Sequence, residues 1–308
     1  MDLGMKVKVS APGKLMIMGE HAVVYNHPCL VTAVDKRLYV EAEILTQLKD
    51  EIITPQVKES RFVLEAIAYF KQRYNIKKHV KIATNGDFSH QVGLGSSSAV
   101  TVATFKALSL LFNLDLSEKE IFDMSYHVNL LIQGVGSGFD IAAATYGQTI
   151  YFLTGGKTID ILPVKELPLV VGYSGIKADT PYYIRKVAED FKNKEREMKK
   201  IFSTIHQLVD RAKETFLADN LEEAGTLMTE NHKLLQQLGV STIRLDAMVL
   251  ASIKAGAWGA KLSGAGGGDC MIALVSKEKR KDVEKAIIDV GGEIINIQVN
   301  ADGVRVEK

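Results

Sequence analysis

One glycine- and serine-rich stretch constrains this chain more than any other segment: Gln91-Val92-Gly93-Leu94-Gly95-Ser96-Ser97-Ser98-Ala99-Val100. An apolar run from residue 100 to residue 112 follows it and predicts a helix. Glycine lets the backbone adopt positive φ and approach an anion closely. A helix points its unpaired N–H groups and the positive end of its dipole at the loop before it. Residues 93–98 are therefore predicted to cradle phosphate groups.

The alternative interpretation is a glycine turn whose serines cap the helix without any ligand. In a phosphate loop, the serine hydroxyls would instead hydrogen-bond phosphate oxygens or bind Mg²⁺. The stretch is not a Walker A loop, because no Gly-Lys-Ser/Thr follows the glycines, and it lacks the third glycine of a Rossmann fingerprint. Other segments must decide between these interpretations.

Length and charge limit the class of protein. A chain of 308 residues predicts two domains. The residue pattern changes between Pro163 and Pro168, so we predict one domain over residues 1–165 and another over residues 166–308. The formal net charge of +1 predicts no general attraction to nucleic acid or to an anionic membrane. No apolar run approaches the roughly 18 residues that a membrane-spanning helix needs.

Cysteine usage predicts the compartment. Cys29 and Cys270 lie far apart in apolar surroundings and show neither a metal-binding spacing nor a disulfide framework. Such usage is typical of a reducing environment. The first residues also contain no apolar segment of the kind found in signal peptides. A cytoplasmic protein is therefore expected.

Residue patterns predict a chain of mixed helices and strands. Strands are predicted at 6–11 (ending at Pro12-Gly13), 14–18, 30–34, 38–45, 79–83, 149–153, 169–172, 260–262, 270–275 and 294–299. Helices are predicted at 57–74, 100–112, 117–133, 220–238, 241 or 242 to 255, and 277–290, and long helices are predicted between about 181 and 217. Ser117 and Glu120 form a capping box, and Thr180 is the predicted N-cap before Pro181.

A second glycine-rich segment, Ser263-Gly264-Ala265-Gly266-Gly267-Gly268-Asp269, lies between two predicted strands. A turn needs only one or two glycines. We therefore interpret this segment as a close approach of backbone to a ligand, with a purely structural turn as the alternative.

Four polar residues elsewhere are candidates for chemistry. Asp140 follows a glycine-rich loop, and Lys14 follows the Pro-Gly corner. Near a phosphate cradle, the carboxylate could orient or deprotonate an alcohol, and the lysine could stabilise developing charge. Glu20 and His21 lie beyond the same corner and could contact a ligand. The alternatives are a capping aspartate, a solvated lysine and a half-buried histidine.

Three segments together resemble the GHMP kinase superfamily: SAPGKLMIMGEHAVVY, VGLGSSSAV and AKLSGAGGGDC. Their order and spacing match that superfamily over nearly the whole chain. The resemblance implies a two-domain α+β fold. Its N-terminal domain would be like domain 2 of ribosomal protein S5, with a left-handed βαβ crossover, and its C-terminal domain would be ferredoxin-like. It also implies ATP between the domains, with its phosphates on Gly93–Ser98.

Within the superfamily, GEHAVVYNHP and MTENHKLLQQLGVST are most similar to short archaeal or bacterial mevalonate kinases. The resemblance implies that Asp140 acts on the C5 hydroxyl of mevalonate with the help of Lys14. It implies that Ser96 or Ser97, of which we favour Ser97, binds Mg²⁺. The implied contacts to the small-molecule substrate are Glu20, His21, Thr180, Gly264, Ala265 and Gly266. Relatives are often dimers, so a homodimer is also expected.

Two features depart from that branch. Asn129 stands where many mevalonate kinases have a glutamate that binds Mg²⁺, so the second protein ligand is left open. GVGSGFDIAAATYG and GAGGGDC are similar to phosphomevalonate kinases, which remain the alternative enzyme. A non-catalytic ligand sensor of the same superfamily is the alternative of another class, although Lys14, the serines and Asp140 favour activity.

Overall fold

The computed structural model describes residues 6–57, 60–88 and 92–307. Three predictions extend outside these residues. They concern residues 1–5 of the N-terminal segment, residues 58–59 of the predicted helix 57–74, and Gln91 at the start of the phosphate loop.

The described strands, in chain order, are β1 (Lys6–Met18), β2 (Cys29–Leu45), β3 (Glu51–Ile53), β4 (His79–Gly86), β5 (Thr149–Leu153), β6 (Thr158–Leu162), β7 (Leu169–Tyr173), β8 (Gly259–Ser263), β9 (Cys270–Leu274), β10 (Glu293–Ile294) and β11 (Arg305–Val306). The described α-helices are α1 (Arg61–Tyr74), α2 (Ser96–Leu111), α3 (Glu118–Gln133), α4 (Phe139–Tyr146), α5 (Thr180–Asp190), α6 (Glu195–Leu217), α7 (Leu221–Gln237), α8 (Ile243–Lys254) and α9 (Arg280–Asp289). The predictions placed most of these elements, but they did not include α4, β3, β6 or β11.

The first sheet has the strand order β11-β1-β2-β4-β3, with β5 paired to β2 and β6 paired to β5. Its β3–β4 pair is parallel, and α1 connects the two strands. This is a βαβ unit, as the resemblance implies for the first domain. Helix α2 is buried on nearly all sides because it packs against β1 and β2 and also contacts α1, α3 and α4.

The Pro12-Gly13 corner does not end the first strand, so that prediction was wrong. β1 continues through it, and the register against β2 shifts there, because Pro12 pairs with Arg37 whereas Gly13 pairs with Val34. A bulge accommodates a proline, which cannot donate a hydrogen bond to the ladder. For the same reason the strands predicted at 30–34 and 38–45 are one strand.

The second sheet is antiparallel and has the order β10-β7-β9-β8. Numbered within this sheet, the order is 4-1-3-2, which is the ferredoxin-like arrangement. Helices α5 to α8 lie between its first and second strands, and α9 lies between its third and fourth. The ferredoxin-like prediction is therefore confirmed.

The strand predicted at 294–299 is mostly wrong. Only Glu293–Ile294 pairs with the second sheet, and the chain then returns to the first sheet, where Val299 bridges Val34 and β11 pairs with β1. The buried Arg37 guanidinium holds this returning segment by donating to the carbonyl oxygens of Asp302 (2.8 Å) and Gly303 (2.6 Å). The domain boundary near residue 165 stays a prediction, and the last described strand lies in the first sheet.

Candidate active site

A cavity of about 860 Å³ lies between the two halves of the chain. The residues of the first half that line it include Lys14, Glu20, His21, Gly93, Gly95, Ser96, Ser97, Asn129 and Asp140. Those of the second half include Lys177, Asp179, Thr180, Gly264, Ala265 and Asp269. Three residues of the predicted site do not line this cavity: Leu94, Ser98 and Gly266.

The predicted phosphate loop ends at the N-terminus of α2. Gly95 is the N-cap in the left-handed region (φ 80°), and no side chain caps the first turn. The first N–H groups of the helix, at Ser96 and Ser97, are therefore unpaired within the helix, and both residues line the cavity. The helix begins four residues earlier than predicted because Gly95 supplies the left-handed conformation that starts it.

Gly93 must be a glycine for two reasons. Its φ is 74°, and a Cβ atom there would collide with the side chain of Asp269. The Asp269 backbone N–H donates to the carbonyl oxygen of Ile176 (2.7 Å), and its Oδ1 accepts from the Ala178 N–H (3.0 Å). Burial raises the pKa of the Asp269 carboxyl, opposed by the Ala178 hydrogen bond. Asp269 thus connects the loop before α5 to the phosphate loop, which the sequence did not indicate.

Lys14 lies directly against the phosphate loop. Its backbone N–H donates to the carbonyl oxygen of Leu94 (2.9 Å), and its Nζ donates to the carbonyl oxygen of Gly93 (3.0 Å). The ammonium is also 5.4 Å from the centre of the Phe139 ring. These contacts hold a nearly buried positive charge between the phosphate loop and the start of α4.

Asp140 is held in the first turn of α4 by two hydrogen bonds. Its Oδ1 accepts from the Ile141 N–H (3.0 Å), and its Oδ2 accepts from the hydroxyl of Ser98 (2.5 Å). The Asn129 amide donates to the same Ser98 hydroxyl (3.2 Å). Asn129, Ser98 and Asp140 therefore form a chain of hydrogen bonds that ends at a cavity-lining carboxylate.

His21 and Glu20 occupy a tight turn at the cavity wall. His21 has φ 59°, and its Nε2 lies 2.8 Å from the carbonyl oxygen of Ala265. A carbonyl only accepts, so Nε2 carries the proton and the neutral ring leaves Nδ1 unprotonated. Burial lowers the pKa of His21, opposed by the hydrogen bond to the Ala265 carbonyl oxygen, and so favours the neutral ring. The Glu20 carboxylate is fully buried and paired with Lys261, a residue that the sequence interpretation missed.

The second glycine-rich segment packs closely against neighbouring elements, a role that the sequence did not indicate, and its predicted approach to a ligand stays a prediction. A Cβ atom at Gly266, Gly267 or Gly268 would collide with Val240, Tyr183 or Ile176, respectively. At Gly264, by contrast, nothing lies within 4 Å of an added Cβ. Gly264, Ala265 and Asp269 are the residues of this segment that line the cavity.

The loop before α5 completes the wall. Asp179, and not the predicted Thr180, is the N-cap of α5, because its Oδ1 accepts from the Tyr182 N–H (3.0 Å). Thr180 is the first helical residue, and both residues line the cavity.

Across the ranges that the structure describes, no group of three or more His, Cys, Asp or Glu side chains is arranged to hold a metal ion. The cavity does present the hydroxyls of Ser96 and Ser97 and the carboxylates of Asp140 and Asp269. Mg²⁺ is usually bound through one or two carboxylates, phosphate oxygens and water rather than by a complete protein cage. These residues fit an ion that is held together with a nucleotide.

Comparison with known proteins identifies the family. The family model for the GHMP kinases N terminal domain matches residues 61–148, and the GHMP kinases C terminal model matches residues 212–292. The chain belongs to the GHMP kinase family, whose members use ATP, and it is an ATP-dependent kinase.

Similar proteins include mevalonate kinases, which form one branch of this family. A mevalonate kinase of Thermococcus sibiricus is 38% identical, over 98% of this chain and 99% of the relative. The solved mevalonate kinase of Methanococcus jannaschii has a TM-score of 0.82 and 28% identity, over 96% of this chain and 99% of that one. The solved L. major mevalonate kinase in complex with R-mevalonate has a TM-score of 0.83 and 25% identity, over 96% of both chains. Among the described residues, no helix is long and apolar enough to cross a membrane.

Proposed function

We propose that this chain transfers the γ-phosphoryl group of ATP to the C5 hydroxyl of mevalonate, giving 5-phosphomevalonate and ADP. One observation carries the catalytic part of the proposal: Lys14, Asp140 and the unpaired N–H groups of α2 converge on a single cavity. The choice of acceptor rests on the full-length similarity to mevalonate kinases.

The phosphate loop would bind the nucleotide. Backbone N–H groups of residues 93–98 would hold the phosphates at the positive end of the α2 dipole. The Ser97 hydroxyl would ligate Mg²⁺, which when bound neutralises charge on the β- and γ-phosphates. Asn129, which replaces the expected glutamate, is engaged with Ser98. We therefore assign the other ion contacts to phosphate oxygens and to either water or another carboxylate of the cavity.

Asp140 and Lys14 would prepare the acceptor. The carboxylate of Asp140 would accept the proton of the C5 hydroxyl, and its hydrogen bonds from Ser98 and Ile141 fix its direction. Lys14 would stabilise the negative charge that develops on the transferring group. Because Lys14 already contacts the phosphate loop through Gly93, it couples that loop to the reacting atoms.

The acceptor would lie against Glu20, His21, Thr180 and the segment Gly264–Gly266. His21 is buried and neutral, so its Nδ1 can accept a hydrogen bond from a hydroxyl of the acceptor. Thr180 and Ala265 line the same cavity from the second half of the chain. Gly266 would act through its backbone, because its Cα packs against Val240.

A coupled assay of ADP release, with mevalonate and phosphomevalonate supplied side by side, tests the proposal. We expect turnover with mevalonate and Mg²⁺-ATP, and little with phosphomevalonate. A preference for phosphomevalonate would reassign the enzyme to the alternative branch. Binding of both ligands without ADP release would identify a sensor.

Substitution of the two catalytic candidates tests the mechanism. Asp140→Asn is expected to lower kcat by roughly 10²- to 10⁴-fold, because the amide cannot accept the proton. Lys14→Met is expected to lower it by roughly 10²-fold or more, because developing charge loses its partner. Circular dichroism should show that both variants fold. Turnover near the wild-type rate in either variant would remove that residue from the chemistry.

A further inference from the structure

A buried ion pair joins the two halves of the chain behind the cavity wall. Lys261 on β8 and Glu20 in the turn after β1 are both fully buried and are in direct contact. The Lys261 ammonium also donates to the carbonyl oxygen of Leu262 (2.6 Å). Burial lowers the pKa of Lys261, and the adjacent Glu20 carboxylate opposes this effect.

A third side chain completes the pair. Asn231 on α7 donates from its amide to the second carboxylate oxygen of Glu20 (3.4 Å). Its own oxygen accepts from the Gly19 N–H (3.4 Å). The turn that carries Glu20 is thus held from both β8 and α7 of the second half. We call Glu20, Asn231 and Lys261 the buried bridge.

The buried bridge lies directly next to residues that line the cavity. Glu20 precedes His21, and the chain beyond Lys261 leads to Ser263, whose hydroxyl donates to the Met16 carbonyl oxygen (2.8 Å), and to Ala265. His21 in turn contacts the Ala265 carbonyl oxygen. Displacement of the ion pair would therefore shift the turn and the Gly264–Ala265 segment relative to each other.

The turn itself needs an external constraint. Gly19 has φ 100° and no room for a Cβ atom beside Pro28 and Cys29, and His21 has φ 59°. A non-glycine residue at positive φ costs free energy and persists only where its surroundings impose it. Backbone hydrogen bonds close the turn itself, from the Val23 N–H to the Gly19 carbonyl oxygen (3.0 Å) and from the Val24 N–H to the His21 carbonyl oxygen (3.1 Å). Its side-chain contacts to the second half of the chain include those of Glu20 with Lys261 and Asn231, and that of His21 with Ala265.

Stability alone does not account for such a pair. A buried ion pair typically contributes no more to folding than apolar side chains of similar volume, because both charges lose their hydration. Removal of only one partner is strongly destabilising, since the other charge stays buried without compensation. The pair must therefore be judged by what it positions.

We propose that Lys261 is a positioning residue for phosphoryl transfer, which acts through Glu20 to hold His21 and Ala265 in register across the acceptor part of the cavity. This inference rests on the proposed function. It adds a positioning role to the predicted acceptor contact of Glu20, whose carboxylate is paired with Lys261.

A double-mutant cycle of Lys261→Met, Glu20→Gln and the double variant tests the proposal. For Lys261→Met we expect kcat/KM for the acceptor to fall roughly 10- to 100-fold, because displacement of the acceptor by about 1 Å from its reactive position can reduce the rate that much. The KM for ATP should stay within about twofold of the wild-type value. The double variant should regain thermal stability, since no charge is buried alone. Its kcat/KM should be no lower than that of Lys261→Met and should stay well below wild type.

Two results would overturn the positioning role. If the acceptor kcat/KM recovers together with stability in the double variant, the pair is merely structural. If the losses of the two single variants multiply in the double variant, Glu20 acts independently of Lys261. Lys254→Met, at an exposed lysine of α8, is the matched control and should match wild type in both readouts.

A readout without turnover separates this inference from the proposed function. We expect the NMR signal of the His21 ring to shift in Lys261→Met and to stay unchanged in Lys254→Met. Asn231→Ala keeps the ion pair but removes the amide that donates to Glu20, and it should shift the same signal. This variant replaces Lys261→Met in the experiment if Lys261→Met does not fold. An unchanged His21 signal in both bridge variants would refute the inference even if the enzyme phosphorylates mevalonate.

Discussion

At the scale of single residues, the structure gives the Ser98 side chain a contact that the sequence did not indicate. The sequence analysis placed Ser98 among the nucleotide contacts because it ends the predicted phosphate loop, residues 93–98. In the structure Ser98 is fully buried, does not line the cavity, and donates to Asp140. Its hydroxyl thus connects the catalytic candidate to Asn129, which stands at the position of a missing glutamate.

Ser98→Ala distinguishes the two roles of this serine. We expect kcat to fall roughly 10-fold, because Asp140 loses the hydrogen bond that orients it, while the ATP KM stays nearly unchanged. Ser97→Ala, at a residue that lines the cavity, should instead raise the apparent KM for Mg²⁺-ATP. Steady-state kinetics with each substrate varied in turn give both values. An increase in ATP KM alone for Ser98→Ala would restore the original interpretation.

At the scale of elements, local sequence patterns predicted where helices begin, but they did not predict contacts between residues far apart in the chain. The capping box at Ser117 marked the start of α3, because its partners lie within four residues, and both of its hydrogen bonds are present. Lys14 stood out in the sequence because it follows the Pro-Gly corner, and Asp140 because it follows a glycine-rich loop; both line the cavity. Gly267 packs against Tyr183, and Lys261 pairs with Glu20. Each pair is far apart in the sequence, so no local pattern indicates the contact.

Gly267→Ala tests the packing interpretation of the second glycine-rich segment. The new methyl group would overlap the Tyr183 ring, and the residue has φ 77°, so we expect a loss of roughly 2–4 kcal/mol in the free energy of unfolding. Gly136→Ala is the control, because nothing lies within 4 Å of its added Cβ and its φ is not positive. Urea unfolding followed by fluorescence measures both. Equal stability of the two variants would contradict the packing role.

Asp179→Ala tests the helix cap beside the acceptor. Loss of the hydrogen bond to the Tyr182 N–H should lower stability by about 1 kcal/mol. Because Thr180 begins the same helix and lines the cavity, the acceptor KM should rise, while Asp179→Asn should retain most of both properties. Thermal unfolding and acceptor titration provide the measurements. Thr180→Ala with a larger stability loss than Asp179→Ala would indicate that Thr180 is the cap after all.

At the scale of the whole molecule, buried polar side chains join α7, α8 and β8 beneath the cavity. His232 on α7 lies 3.1 Å from the Asp246 carboxylate of α8, and its Nδ1 accepts from the Leu262 N–H of β8 (3.3 Å). Burial, aided by the nearby Lys261 charge, lowers the pKa of His232 to about 4 against the opposing effect of Asp246. The native protein therefore holds this imidazole neutral under conditions where the unfolded chain binds a proton.

The sign of the pH dependence follows from that lowered pKa. The stabilisation by neutral His232 is complete above the ordinary pKa of 6.5 and is lost as the pH falls toward about 4. When the pH falls from 7 to 5, the titration of His232 should lower the free energy of unfolding by about 2 kcal/mol. His232→Gln, which does not titrate, should show a correspondingly weaker pH dependence in urea unfolding. An identical pH dependence in the variant would exclude His232 as the source.

The return of the chain to its first sheet has a consequence for biosynthesis. Ser10 and Glu307 are hydrogen-bonded although they are 297 residues apart, and the Glu307 N–H donates to the Lys8 carbonyl oxygen (2.8 Å). During translation β1 is synthesised early and its partner β11 near the end. The edge of β1 that pairs with β11 therefore stays unpaired until translation is almost complete. A circularly permuted gene that links residue 307 to residue 6 would make these neighbours consecutively and remove that delay.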